Sequence, residues 1–276
     1  MAYKRILTIQ DISCVGQCST TVALPILSAC GHETCILPTA LLSTHTGGFG
    51  KPSVIRCGQE MEGFWRHWQE NGITFDAVLV GYLGSVAAIE MTEQILRNLL
   101  APGGIGIVDP AMADHGKLYS GFDGAYAQAM KALCAQADII LPNVTEAAMF
   151  AELPYRETLD ELYIKELLEK LNHPCVILTG VGYRAGETGA AISCDGTLQY
   201  YTHPKIGKNY HGTGDMFAAC FTGALMQEKS LIDSVKIAAD FVCKSIEETC
   251  EAPVHWYGVK FETALPDLIR MLHTNF

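Results

Sequence analysis

The stretch Tyr210-His211-Gly212-Thr213-Gly214-Asp215, followed by a small and apolar run over 216–225, holds the residues best suited to chemistry. Glycines around a threonine let the backbone turn so that successive N–H groups point the same way. The run that follows has helical spacing. A helix start adds about half a positive charge and several unpaired N–H donors, and the two features together suit a phosphate. Asp215 falls in the first turn. A carboxylate there repels a phosphate unless it works on whatever attacks the phosphate. The spacing therefore points to phosphoryl transfer, with Asp215 taking a hydroxyl proton. The alternative is an aspartate that complements the helix dipole beside a plain glycine turn.

The elements that position this loop alternate along the chain. Strands are expected over 3–10, 33–38, 76–82, 105–109, 138–142 and 175–179, and a hairpin over 190–201 around Asp195-Gly196. Helices are expected over 20–30, 59–71, 86–100 (ended by Pro102-Gly103-Gly104), 124–136, 145–152, 159–171, 231–248 and 262–273. Short apolar runs between helices indicate βαβ units and a mostly parallel sheet covered on both faces. No linker, repeat or low-complexity tract interrupts 1–276, so one domain is the economical reading. Ligands of such sheets bind beyond the C-terminal ends of the strands, and polar residues collect there.

Composition sets limits. The 276 residues, 49% apolar and 18% charged, fit an ordinary globular protein. No apolar block is long enough to span a membrane, and the N-terminus lacks the features of a signal peptide, so the cytoplasm is expected. A formal charge of −11 argues against a nucleic-acid partner. The 11 cysteines are scattered without Cys-x-x-Cys spacing, and the 9 histidines do not cluster as zinc ligands.

From residue 10 to about 224, motifs at strand ends and helix starts stand in the order found in the pyridoxal/pyridoxamine kinases, and the chain resembles that family of ribokinase-like kinases. The resemblance implies a three-layer α/β fold. It also implies transfer of the ATP γ-phosphoryl group to the 5′-hydroxymethyl group of a vitamin B6 vitamer. Asp215 is then the base, with Gly212, Thr213 and Gly214 around the transferring group. Substrate contacts carry over to Asp11 and Ser13, to Ser43, His45 and Thr46 in a segment like Ser-Asn-His-Thr, and to Tyr82 in Gly81-Tyr82-Leu83-Gly84-Ser85. Asn143, Thr179, Lys205 and Lys208, with Thr213 and Gly214, carry over to the nucleotide. Asp109 and Glu146 carry over to Mg²⁺, which accepts hard oxygen ligands and keeps several waters. A monovalent cation (K⁺ or Na⁺) near Thr179 and a homodimer belong to the same family picture.

Plainer readings stand beside these. Asp11 replaces a serine of the family and could cap the loop that follows. The glycine-rich 40–50 segment could be an ordinary loop, Asp109 a turn residue, and Asn143 with Glu146 a capping box. A hydroxymethylpyrimidine kinase of the same fold, or a vitamer-binding protein without turnover, are the alternative functions.

Overall fold

Apolar residues of the central strands lie on both sides of a single nine-stranded sheet. This is a computed structural model, and it describes residues 3–58, 60–207, 210–250 and 255–273. The sheet strands are β1 (Arg5–Ser13), β2 (Glu33–Leu42), β3 (Val54–Arg56), β4 (Phe75–Val80), β5 (Leu100–Val108), β8 (Ile139–Ile140), β9 (Cys175–Thr179), β10 (Glu187–Cys194) and β11 (Thr197–Pro204). They lie in the order β11-β10-β9-β8-β5-β4-β1-β2-β3. Pairing from β9 through β2 is parallel, whereas β3, β10 and β11 run antiparallel to their neighbours. Two short strands, β6 (Ala113–Asp114) and β7 (Lys117–Leu118), form a separate hairpin.

Helices cover both faces. Leu7, Ile9, Val78, Val80 and Val108 face a core with α2 (Met61–Glu70), α3 (Val86–Leu99), α4 (Gly124–Cys134), α5 (Val144–Ala151) and α6 (Glu161–Leu171). Their chain neighbours Ile6, Ala77, Leu79 and Ile107 face the other core, with α1 (Thr20–Ala29), α7 (Thr213–Met226), α8 (Leu231–Cys250) and α9 (Leu265–His273). This strict alternation is the period-two geometry of a strand buried on both sides. Each fully buried Phe or Leu, such as Phe221 or Leu7, contributes about 1.5–3 kcal/mol.

The expected alternation of strands and helices is present, with differences at the edges. Pro102-Gly103-Gly104 does not end α3. Leu100 is already extended, and the segment joins β5, where its pairing with β4 shifts register. The first two strands run further than expected, to Ser13 and Leu42. The strand β3 was not foreseen, because all three of its residues are exposed and no alternation marks it. The expected helix start at Gln59 lies outside the described residues.

Connections from β1 lead to β2 and β3 on one side, and later strands return from β4 outward on the other. The chain therefore reverses its direction of growth between β1 and β4. A crevice opens beyond the carboxyl ends of strands at such a point.

Candidate active site

Asp11 and Tyr82 flank that crevice. The β1–β2 pairing slips at Asp11, which stands alone opposite Thr39 and Ala40. Bulges of this kind re-aim side chains next to sites. Asp11 is 4% exposed. Ser13 Oγ donates to its Oδ2 at 3.1 Å, and Ser19 adds a side-chain hydrogen bond. Burial still pushes the Asp11 carboxyl above its usual range. Tyr82 is half-buried at the end of β4, with its ring 5.4 Å from that of Phe122. Burial, and then the charge of Asp11, raise its phenol.

The loop that leads into α7 meets the same crevice. Gly212 caps α7 at φ 80°, ψ 0°, and no side chain caps the helix. A Cβ at Gly212 would overlap the carbonyl of Gln17, so this position needs glycine both for its turn and for its close approach. The first N–H groups of α7 have no helical partner, while Thr213 Oγ donates back to the Tyr210 carbonyl at 3.2 Å. Asp215 sits in the first turn, half-buried. Burial pushes it up to about 6; a backbone N–H from Ser19 works against the rise, and the Asp11 charge adds to it.

Asp109 follows β5, and its Oδ2 lies 4.0 Å from where a Cβ on Gly214 would stand. Burial first, then the charges of Glu146 and Asp215, hold its carboxyl well above the ordinary range. Among the described residues, the charges acting on Asp109 and Asp215 are those of other carboxylates. This negative excess and its hard oxygen donors fit a divalent cation arriving with phosphates. Among the described residues, no three His, Cys, Asp or Glu side chains form a metal-holding group on their own.

Glu146 is 1% exposed at the start of α5. Its Oε1 accepts from the Met112 and Ala113 N–H groups at 3.0 and 3.3 Å, and its Oε2 from the Asn143 N–H at 2.9 Å. Asn143 Oδ1 accepts from the Glu146 N–H at 3.0 Å, which closes a capping box, and Asn143 Nδ2 donates to the Ala113 carbonyl at 2.8 Å. Burial pushes the Glu146 carboxyl up to about 7. Both side chains are therefore engaged in holding the turn after Asp109. Thr179 Oγ donates to the Pro142 carbonyl at 3.3 Å, beside Asn143.

Other expected residues have different surroundings. His45 is buried with both ring nitrogens bonded to backbone groups, so neither is open to a ligand. Ser43 is exposed and its Oγ accepts from the Ser53 N–H at 3.0 Å; Thr46 is exposed. Lys205 is exposed past the end of β11, where its backbone N–H donates to the Gly186 carbonyl at 2.7 Å. Lys208 lies outside the described residues.

Two features were missed by sequence reasoning. Ser19 (φ 52°, ψ −132°) caps α1 without a side-chain cap bond; its hydroxyl serves Asp11 and its N–H serves Asp215. A non-glycine residue at positive φ is a cost that surrounding contacts must hold in place. The second is His255-Trp256-Tyr257-Gly258, which packs onto the loop around His45. Its density of aromatic groups in a loop was the available signal.

A family model described as phosphomethylpyrimidine kinase matches residues 69–258. A pyridoxal kinase from Lactobacillus plantarum shares 34% identity at a TM-score of 0.90, with 98% of each chain covered. A Bacteroides thetaiotaomicron protein assigned to the phosphomethylpyrimidine kinases, in a crystal form with pyridoxal, shares 32% at a TM-score of 0.91, covering 97% of this chain and 96% of its own. The hydroxymethylpyrimidine/phosphomethylpyrimidine kinase of Bacillus subtilis is 30% identical over 177 residues, 63% of this chain and 64% of its own.

Proposed function

This chain belongs to the phosphomethylpyrimidine kinase family, and on that premise we propose that it transfers the γ-phosphoryl group of ATP to the 5′-hydroxymethyl group of a vitamin B6 vitamer: pyridoxal, pyridoxamine or pyridoxine. The observation that carries this reading is Asp215 at an uncapped helix start, its carboxyl raised to about 6. At neutral pH such a group is mostly ionised, yet a better proton acceptor than an ordinary aspartate. It takes the proton of the attacking hydroxyl. The free N–H groups of Thr213 and Gly214 receive the transferring group, whose loose transition state needs positioning and charge stabilisation more than covalent help.

A Mg²⁺ arriving with the nucleotide would supply positive charge to offset that of the phosphates. Asp109 would hold it, and Glu146, with its oxygens occupied by backbone N–H groups, would act on it through water. A monovalent cation beside Thr179, cytoplasmic residence and a homodimer complete the proposal. Exposed Val54 and Ile55 on the edge strand β3 support pairing with a second copy. No helix among the described residues is long and apolar enough to cross a membrane.

The test is ADP release with pyridoxal, pyridoxine, pyridoxamine and hydroxymethylpyrimidine, with and without EDTA. Turnover of the B6 vitamers that EDTA abolishes and Mg²⁺ restores is the expected result. The family description and the Bacillus subtilis similarity favour a second reading, a hydroxymethylpyrimidine kinase. Turnover of the pyrimidine alone would establish it, and vitamer binding without ADP would leave a binding protein.

A further inference from the structure

His45 joins three segments distant in sequence. It is 5% exposed in the loop after β2. The Gly47 N–H donates to Nδ1 at 2.9 Å, so the ring proton sits on Nε2, which donates to the Tyr257 carbonyl at 2.9 Å. The His45 backbone N–H donates to the Val15 carbonyl at 3.0 Å. A Cβ at Gly16 would overlap the His45 ring. Two further ring centroids, Phe49 and His211, lie 5.0 Å from that of His45, and Phe49 packs on Trp256 at 4.6 Å.

The same three segments reach the loop that leads into α7. Gln17 Oε1 accepts from His255 Nε2 at 2.6 Å, and Gln17 Nε2 donates to Glu262 at 2.7 Å. The carbonyl of Gln17 is the one that Gly212 packs against. His211, which touches the His45 ring, immediately precedes Gly212. Burial lowers the proton affinity of His45, and a second ring proton would face the Gly47 N–H. The neutral ring with one acceptor and one donor is therefore the form that fits.

We propose that His45 is a positioning residue for phosphoryl transfer: Nδ1 fixes the 43–50 loop around the ring, Nε2 ties that loop to the 255–258 segment, and together they hold Gly212 in register with the crevice. This rests on the kinase reading above. It differs from a role as a vitamer ligand, since no ring nitrogen remains to bind one.

Three variants separate the possibilities. His45→Gln puts an amide nitrogen near the place of Nε2 and keeps the donor to Tyr257. His45→Asn puts an amide oxygen near the place of Nδ1 and keeps only the acceptor for Gly47. His45→Ala keeps neither. Each is measured for kcat and KM with pyridoxal, and for amide hydrogen exchange without ligand. A misplaced reacting group costs up to about a hundredfold, so kcat should fall roughly 10- to 100-fold in the Ala and Asn variants and by only about threefold in Gln. Exchange at 255–258 should quicken in Ala and Asn and stay slow in Gln. A vitamer ligand would instead raise KM alike in all three, and that result overturns the proposal. Unchanged exchange at 255–258 in His45→Ala also overturns it. If the wild-type protein phosphorylates no vitamer, the kinase reading fails, and the exchange pattern alone decides whether His45 forms the lock.

Discussion

Two helices, α5 and α7, begin at the C-terminal edge of the sheet with an acidic residue in the first turn, and their starts are built differently. At α5 the asparagine and glutamate satisfy each other's backbone N–H groups, and Glu146 takes two more from the turn after Asp109. At α7 the cap is Gly212, which has no side chain to offer, so the first donors stay open and Asp215 is not tied to its own helix start. A self-capped start stiffens its surroundings. An uncapped one leaves N–H donors open, a ready site for an anion. On the proposed reading, the same residue class supports structure in one place and chemistry in the other.

The largest expected effect breaks the α7 side. Asp215→Asn should lower kcat by about two to four orders of magnitude while nucleotide binding, followed by calorimetry, survives. The wild-type rate should also fall as pH drops through about 6, because acid protonates a carboxyl whose affinity for the proton is raised. That acid limb should vanish in Asp215→Asn. Wild-type kcat in the variant would make Asp215 a dipole partner no different in kind from an ordinary first-turn acid.

Gly212→Ala comes next. Left-handed backbone costs a side chain roughly 1–2 kcal/mol, and the new methyl must displace the Gln17 carbonyl. The loop should shift, and kcat should drop about 10- to 100-fold in a protein that still folds by circular dichroism. Full activity would show that the cap geometry is dispensable.

The smallest effect belongs to α5. Asn143→Ala removes a capping oxygen, which costs about 0.5–2 kcal/mol and should lower the melting temperature by roughly 2–4 °C per kcal/mol, with little change in kcat. If activity collapses while the melting temperature holds, Asn143 touches the nucleotide, and the contrast between the two helix starts is wrong.

Much of this was readable before any fold was known. Gly212 and Asp215 were visible because a glycine turn leads into a helical apolar run, whereas Asp109 and Tyr82 were singled out through the resemblance. Asn143 and Glu146 were visible as a spacing, which is why the capping reading could be stated beside the metal one. Ser19 was not visible: its positive φ and its two aspartate partners arise only when β1 and α7 meet. His45 stood out, but its ring partners are contributed partly by Tyr257, far along the chain, so resemblance suggested a ligand contact where the fold supplies backbone bonds. Lys205 was named from its place near a glycine loop in sequence, and it lies exposed past a hairpin edge.

The bond between His45 and Tyr257 also fixes an order of events in time. Its partners are 212 residues apart. A ribosome adding about 5–20 residues per second needs roughly 10–40 s to cover that interval. Throughout it Phe49 and His45 have been made while the aromatic residues that cover them have not. Until the 255–258 segment has been made, Phe49 lacks the Trp256 and Tyr257 rings that pack on it in the folded protein.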